Sequence, residues 1–224
     1  MNRVGSIALY FEASAPHLWK QPEIRADFAE RLGGRVPEDL RAGQLLPSRK
    51  GYVGFLLCAF TPQGYARLLV AASEAYRKEI EGPWGSAKCI RILADSRSHP
   101  WVRVLDLERP PVAAPVEQPV KLRTLSPLKS PYSILGELRQ AQAVLADYSA
   151  NRGLKEHDEL PHWQMTQVRL RAAAEDPLAK TGSFSLWSPH RLAWFILQFS
   201  LLLGFGALRE KGYGSLDVPL KERV

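Results

Sequence analysis

The chain has 224 residues, of which 46% are hydrophobic and 24% charged, ordinary values for a folded protein and unlike those of a disordered or low-complexity chain. That length is comfortable for two domains of about 100 residues each. Thirty Lys and Arg against 23 Asp and Glu leave a formal charge of +7, which favours a polyanionic partner.

Only Cys58 and Cys89 occur, both inside apolar runs. They exclude a disulfide framework and read as buried thiols of a cytoplasmic protein. The apolar run near Met1 is too short and too soon interrupted for a signal peptide. The longest apolar run, Leu192 to Gly206, falls below the roughly 20 residues a membrane span needs. No membrane association is expected.

In chain order, Ser6 to Phe11 reads as a first strand. Pro22 to Leu32 reads as a short helix, with Ile24, Phe28 and Leu32 on one face and Gly33-Gly34 ending it. Arg35 to Lys50 reads as a basic loop punctuated by glycine and proline, carrying Arg35, Arg41, Arg49 and Lys50. Gly51 to Phe60 is a buried strand. Thr61-Pro62 opens a helix with Tyr65, Leu68, Leu69, Ala72 and Tyr76 at helical spacing. Lys88 to Ala94 and Trp101 to Leu107 alternate like strands. This order is close to the ferredoxin-like βαββαβ arrangement that RNA-recognition-motif domains share, although the strand-borne stacking aromatics of those domains are missing.

Four prolines between Arg109 and Pro119 rule out a helix or a central strand and read as a semi-rigid linker. The expected organisation is an N-terminal domain over 1–109, a linker over 110–119 and a C-terminal domain over 120–224. In the latter, Lys121 to Leu125 is a strand and Ile134 to Tyr148 a helix. Gln164 to Ala174, with Arg169 and Arg171, has high helix propensity, so a helical insertion over about 134–175 is expected. Gly182 to Trp187 alternates as a strand.

Ser188-Pro189 supplies a helix start, and the apolar helix that follows ends at Gly204. Behind it, Gly204-Phe-Gly206-Ala-Leu-Arg209-Glu-Lys211-Gly212-Tyr213-Gly214 places two Gly-aromatic-Gly units around a charged pentapeptide. Glycines reach positive φ and leave backbone N–H groups open, so such a loop, flanked by cations, suits phosphate oxygens. Ser215 to Val218 reads as a short closing strand.

The apolar helix followed by this loop resembles the C-terminal glycine-rich loop of the CRISPR RAMP superfamily, and within it the endonucleases that process CRISPR repeat RNA. Lys121-Leu-Arg-Thr-Leu-Ser-Pro127 is similar to the strand that opens their second domain. The resemblance implies an α+β fold of two tandem ferredoxin-like domains, the second degenerate with added helices. It also implies metal-independent cleavage of repeat RNA to a mature guide RNA, by 2′-OH attack that leaves a 2′,3′-cyclic phosphate. The protein would then remain bound in an effector complex with other CRISPR subunits. A non-catalytic RAMP subunit that holds the guide-RNA handle is the alternative.

No Walker loop, dinucleotide fingerprint, Gly-x-Ser-x-Gly or paired-ligand metal spacing occurs, so no cofactor and no metal is expected. Metal-free RNA cleavage needs orientation of the phosphate, two proton transfers and stabilisation of a dianionic phosphorane. His17 and His99 are the histidines of the first domain, and neither falls in a motif. The type IV variant of the family relies on arginines, which stabilise a phosphorane without acting as bases. On that reading Arg25, Arg41 and Arg209 are the catalytic candidates. RNA contacts are expected from Gly204, Gly206, Arg209, Lys211, Gly212, Tyr213, Gly214, Arg49 and Lys50.

Overall fold

The computed structural model describes residues 2–33, 39–108, 118–125, 127–129, 134–150, 162–174, 177–190, 192–205 and 215–218. They form two compact units that divide after Asp106. The proline-rich 110–119 stretch lies outside the described residues except for Gln118 and Pro119.

The first unit runs β1 (Arg3–Ala13), a 3-10 turn (Leu18–Lys20), α1 (Pro22–Gly33), β2 (Leu40–Leu46), β3 (Tyr52–Ala59), α2 (Pro62–Ala75), β4 (Glu79–Gly82), β5 (Gly85–Leu93) and β6 (Val104–Asp106). Its antiparallel sheet has the order β2-β3-β1-β5-β4, with β6 against the start of β1. The run β2-β3-β1-β5 with two helices is the βαββαβ ferredoxin-like order. β4 and β6 are additions to it.

Strand alternation selects the core. Ile7, Leu9, Phe11 and Ala13 of β1 and Val53, Phe55, Leu57 and Ala59 of β3 pack with Trp19, Phe28, Leu68, Ala72 and Trp84. Phe11 lies at the centre, with ring centroids 4.8 Å from Phe28 and 5.6 Å from Trp19, each pair adding about 1 kcal/mol beyond area burial. α2 begins as its sequence demands: Thr61 Oγ1 accepts from the Gly64 N–H at 3.0 Å, and Pro62 occupies the first turn.

One expectation for this unit fails. The basic stretch over 35–50 contains strand β2 and is not wholly loop. A register shift between Ala42 and Leu45 interrupts the alternation, which hides the strand from a period-2 reading.

The second unit runs β7 (Val120–Thr124), β8 (Leu128–Lys129), α3 (Ile134–Ala150), β9 (Gln164–Ala172), β10 (Ala179–Trp187), α4 (Ala193–Leu203) and β11 (Leu216–Asp217). β10 pairs with β7 and β8 along one edge and with β9 along the other, while β11 pairs with β7. The order β9-β10-β7-β11 repeats the ferredoxin-like order of the first unit, and β8 is the extra strand. Val120, Leu122, Phe184, Leu186 and Leu216 form one sheet face, and Ile134, Leu138, Ile196, Leu197 and Leu201 from the helices cover it.

Two sequence expectations are corrected here. The helical insertion expected over about 134–175 is a helix over Ile134–Ala150, but Gln164–Ala172 is a strand. Pairing to β10 over seven positions outweighs the modest helix propensity of Gln, Met and Arg, which tertiary context routinely overrides. α4 starts at Ala193 with Leu192 at its N-cap and no side-chain cap. Ser188 instead accepts from the His190 N–H at 3.4 Å, ahead of the helix.

Gly182 in β10 has φ +145, and a Cβ there would meet the Arg169 carbonyl oxygen at 1.9 Å. Gly51, at the β2–β3 turn, has φ +84 with nothing within 4 Å. Gly51→Ala should therefore cost only the backbone term of about 1 kcal/mol. Gly182→Ala must also separate β9 from β10 and should cost at least about 3 kcal/mol. Urea unfolding of the two variants measures the difference, and equal losses would show that the close β9–β10 approach is not needed.

Candidate functional site

In the first unit the helices cover one sheet face, so the alternate residues form a second face with its own chemistry. Leu40 and Ala42 of β2 enter the helix-side core, which turns Arg41 to the other side. Its register partner is Cys58 of β3, and Cys58 pairs with Ser6 of β1. Ser6 exchanges hydrogen bonds with the segment before β6: its N–H donates to the Arg103 carbonyl at 2.8 Å, and its Oγ accepts from the Arg103 N–H at 3.0 Å. A row Arg41–Cys58–Ser6–Arg103 thus crosses the sheet.

Arg41 is 2% exposed, and its charge acts on the Cys58 thiol beside it. Burial pushes the Cys58 thiol up, and the charges of Arg41 and Arg103 oppose that rise without reversing it. The sulfur stays protonated, so it does not cancel the charge of either arginine. The row is cationic and largely buried, with Arg103 its partly exposed end.

Further along the face, the His99 ring lies 6.4 Å from Tyr10 and 5.8 Å from Trp101, centroid to centroid. His99 Nδ1 accepts from the Trp101 N–H at 3.1 Å, which favours the neutral tautomer with its proton on Nε2. Tyr10 is raised by burial, and Arg91 opposes the rise. Tyr10, His99 and Arg103 are all partly exposed. Neither Tyr10 nor Arg103 stands out in the sequence, because the pairing of residue 6 with residue 103 is invisible to local spacing.

The arginines singled out in the sequence separate in the structure. Arg25 is 3% exposed and sits on the helix side: Nη1 donates to the Trp19 carbonyl at 2.6 Å and the Lys20 carbonyl at 3.1 Å, and Nε donates to the Gly43 carbonyl at 3.2 Å. Gly43 lies in the register shift of β2, where a ladder partner is lost, and the guanidinium fork fills that place. Arg25 is a tie between α1, the 3-10 turn and β2. Its geometry does not bring it together with Arg41.

Arg49 and Lys50 are exposed on the turn between β2 and β3, where Tyr52 N–H donates to the Arg49 carbonyl at 3.0 Å. Gly204 caps α4 with φ 76, its N–H donating to the Ser200 carbonyl at 2.9 Å. Gly206, Arg209, Lys211, Gly212, Tyr213 and Gly214 lie outside the described residues. His17 is exposed beside the 3-10 turn. Among the described residues no three His, Cys, Asp or Glu side chains gather as a metal site, and no helix is long and apolar enough to cross a membrane.

No family model and no curated protein matches the sequence. Solved structures do match it over its whole length. The Cas6 (TTHA0078) product complex superposes with a TM-score of 0.66 at 20% identity, covering 96% of this chain and 98% of that one. The chain has the Cas6 fold. The Cas6 (TTHB231) product complex gives 0.62 at 20% identity over 96% and 98%. A RAMP protein binding different RNA substrates gives 0.53 at 11% identity over 96% and 99%. The tandem ferredoxin-like expectation agrees with this Cas6 fold.

Two stability predictions follow from the buried groups. Arg25→Ala removes the donor to three carbonyls and should cost about 3 kcal/mol or more in urea unfolding. Arg25→Lys should recover less than half, since an ammonium cannot fork; full recovery by lysine would contradict the tie. For Cys89, burial pushes the thiol from 9.0 to about 11, opposed by a backbone hydrogen bond at Arg91. The folded state retains a proton that the unfolded chain releases. This stabilisation is complete below the ordinary thiol range and is lost as pH rises through about 11. Unfolding midpoints should fall less steeply over that range in Cys89→Ala than in the parent.

Proposed function

We propose that the chain is a CRISPR RAMP-superfamily endoribonuclease that cuts repeat RNA to guide RNA without a metal. The observation that carries this reading is the row of Arg41 and Arg103 around a neutral thiol on the helix-free face of a Cas6-fold sheet. A buried guanidinium such as that of Arg41 costs solvation energy, and an approaching phosphodiester offsets that cost.

In the reaction, the ribose 2′-OH gives its proton to water as it attacks the adjacent phosphorus, the P–O5′ bond breaks, O5′ takes a proton from water, and a 2′,3′-cyclic phosphate and a 5′-OH remain. Negative charge grows on the non-bridging oxygens as the phosphorane forms. Arg103, partly exposed, donates to those oxygens. Arg41, buried beside Cys58, supplies a fixed positive charge and is not a direct ligand. Arg209 of the glycine-rich loop adds a bidentate phosphate contact, with Lys211 and the N–H groups around Gly206, Gly212 and Gly214 holding neighbouring phosphates. The histidine on this face is His99, while His17 takes no part. Reliance on arginines is the property by which the chain resembles the type IV enzymes. After cleavage the guide RNA stays bound, and other effector subunits assemble around it.

Incubating the purified protein with repeat RNA in EDTA tests the reading. A discrete product ending in a cyclic phosphate is expected. Arg41→Ala, Arg103→Ala and Arg209→Ala should each slow single-turnover cleavage roughly 10²-fold or more, comparable to removing one transition-state donor, with smaller changes in binding. His17→Ala should leave the rate intact. Tight binding with no product would show instead a subunit that holds the RNA without cutting it. Loss of cleavage in His17→Ala alone would replace the arginine mechanism with a histidine one.

A further inference from the structure

Three tryptophans meet at one end of the second unit. Trp163 stands just before β9, Trp187 ends β10, and Trp194 lies in the first turn of α4. Gln164 pairs with Trp187, so the sheet brings Trp163 and Trp187 to the same end, and with Trp194, Val120, Leu186 and Leu197 they line a cleft of about 190 Å³. Trp187 and Trp194 are partly exposed, whereas Trp163 is 9% exposed. The Nε1–H of Trp163 is buried and has no acceptor among the described residues. A buried indole N–H normally finds a partner, and leaving it without one costs its desolvation energy. Water does not answer this need, because a buried water requires two or more polar partners. The cleft wall is otherwise apolar apart from Ser188, which already accepts from the His190 N–H.

The cleft therefore calls for an apolar group that carries a strong acceptor. A polyproline II segment has that chemistry: its rings pack on aromatic side chains, and its carbonyls, which make no internal hydrogen bonds, are open to a donor. The chain holds such a segment at the rim. Prolines stand at 110, 111, 115 and 119, Val120 of the cleft wall follows directly, and the backbone bends at Gln118, turning the preceding residues off the line of β7. Residues 109–117 lie outside the described residues. At about 3.1 Å per residue, Pro115 stays within about 16 Å of Val120. We propose that the three-tryptophan cleft is the docking site of this proline-rich segment, with the Trp163 Nε1–H donating to one of its carbonyls. Tethering presents the segment at a roughly millimolar effective concentration, so a weak contact suffices to hold it in place. The linker is then anchored to the second unit through its own side of the boundary, whatever RNA the protein binds.

The test uses the full chain labelled with ¹⁵N, in which six tryptophans give six indole N–H signals and Trp163→Phe assigns one of them. The triple variant Pro110→Ser, Pro111→Ser, Pro115→Ser should move the Trp163 indole proton upfield by more than its linewidth, while the Trp19 signal, from the core of the first unit, stays in place. A synthetic peptide spanning Arg109 to Pro119, added to that variant, should return the signal toward its parent position. Trp163→Phe keeps a ring but removes the donor, and at an unchanged melting temperature it should raise thermolysin cleavage within 110–116 about threefold or more, the loss of one net hydrogen bond from the docked state. A Trp163 signal at the same position in the parent and the triple variant would overturn the docking. So would a signal that ignores the triple variant and moves only when a proline-rich peptide of unrelated sequence is added, since the cleft would then serve a separate protein.

Discussion

The constraint on which this structure depends is the period of two in a β-strand combined with helices on one side only. Each ferredoxin-like unit commits alternate strand residues to an apolar interior. The intervening residues form the opposite face, where the chain sets cationic and polar side chains, in the first unit among Ala8 and Leu56 and still largely buried. In the first unit they are Arg41, Cys58, Ser6 and Tyr10. In the second they are Lys121, Arg123, Arg169 and Arg171. The core thus fixes the register, and the register fixes which cations share a surface.

Burial then divides the arginines by role. Arg25 and Arg41 are nearly equal in exposure, at 3% and 2%, yet they serve opposite sides of the sheet. Arg25 spends its donors on three backbone carbonyls and contributes to stability. Arg41 lies beside a thiol that burial keeps protonated, so its charge is not cancelled by that neighbour and acts outward. A thiolate at Cys58 would neutralise half of the row, and the rise in its pKa prevents this.

Much of the fold was legible in the sequence where periodicity was uninterrupted. β1 and β3 are apolar runs of strand length, α2 announces itself with Thr61-Pro62, and Gly204 ends α4 as glycine should. Two strands of the ferredoxin-like order were not legible, nor were the short added strands β4 and β8. β2 carries a register shift at Gly43, and β9 is an exposed edge strand, rich in Gln and Arg, whose identity comes from pairing to β10. That second misreading hid a surface. Arg169 and Arg171, two residues apart, diverge on a helix but align on a strand. Arg41 was visible as a cation in a basic stretch, but its partners were not, because Cys58 and Arg103 are brought to it by sheet pairing across long sequence separations.

The central claim is that RNA phosphate lies against the helix-free sheet face of the first unit, and arginine footprinting tests it most directly. The folded protein would be treated with an arginine-specific dicarbonyl reagent, with and without bound RNA, and each modified site quantified by peptide mass spectrometry. The account predicts that RNA protects Arg103, whereas Arg31 on α1 and Arg77 after α2 react equally in both states. Protection of Arg31 and Arg77 with continued reaction at Arg103 would contradict it.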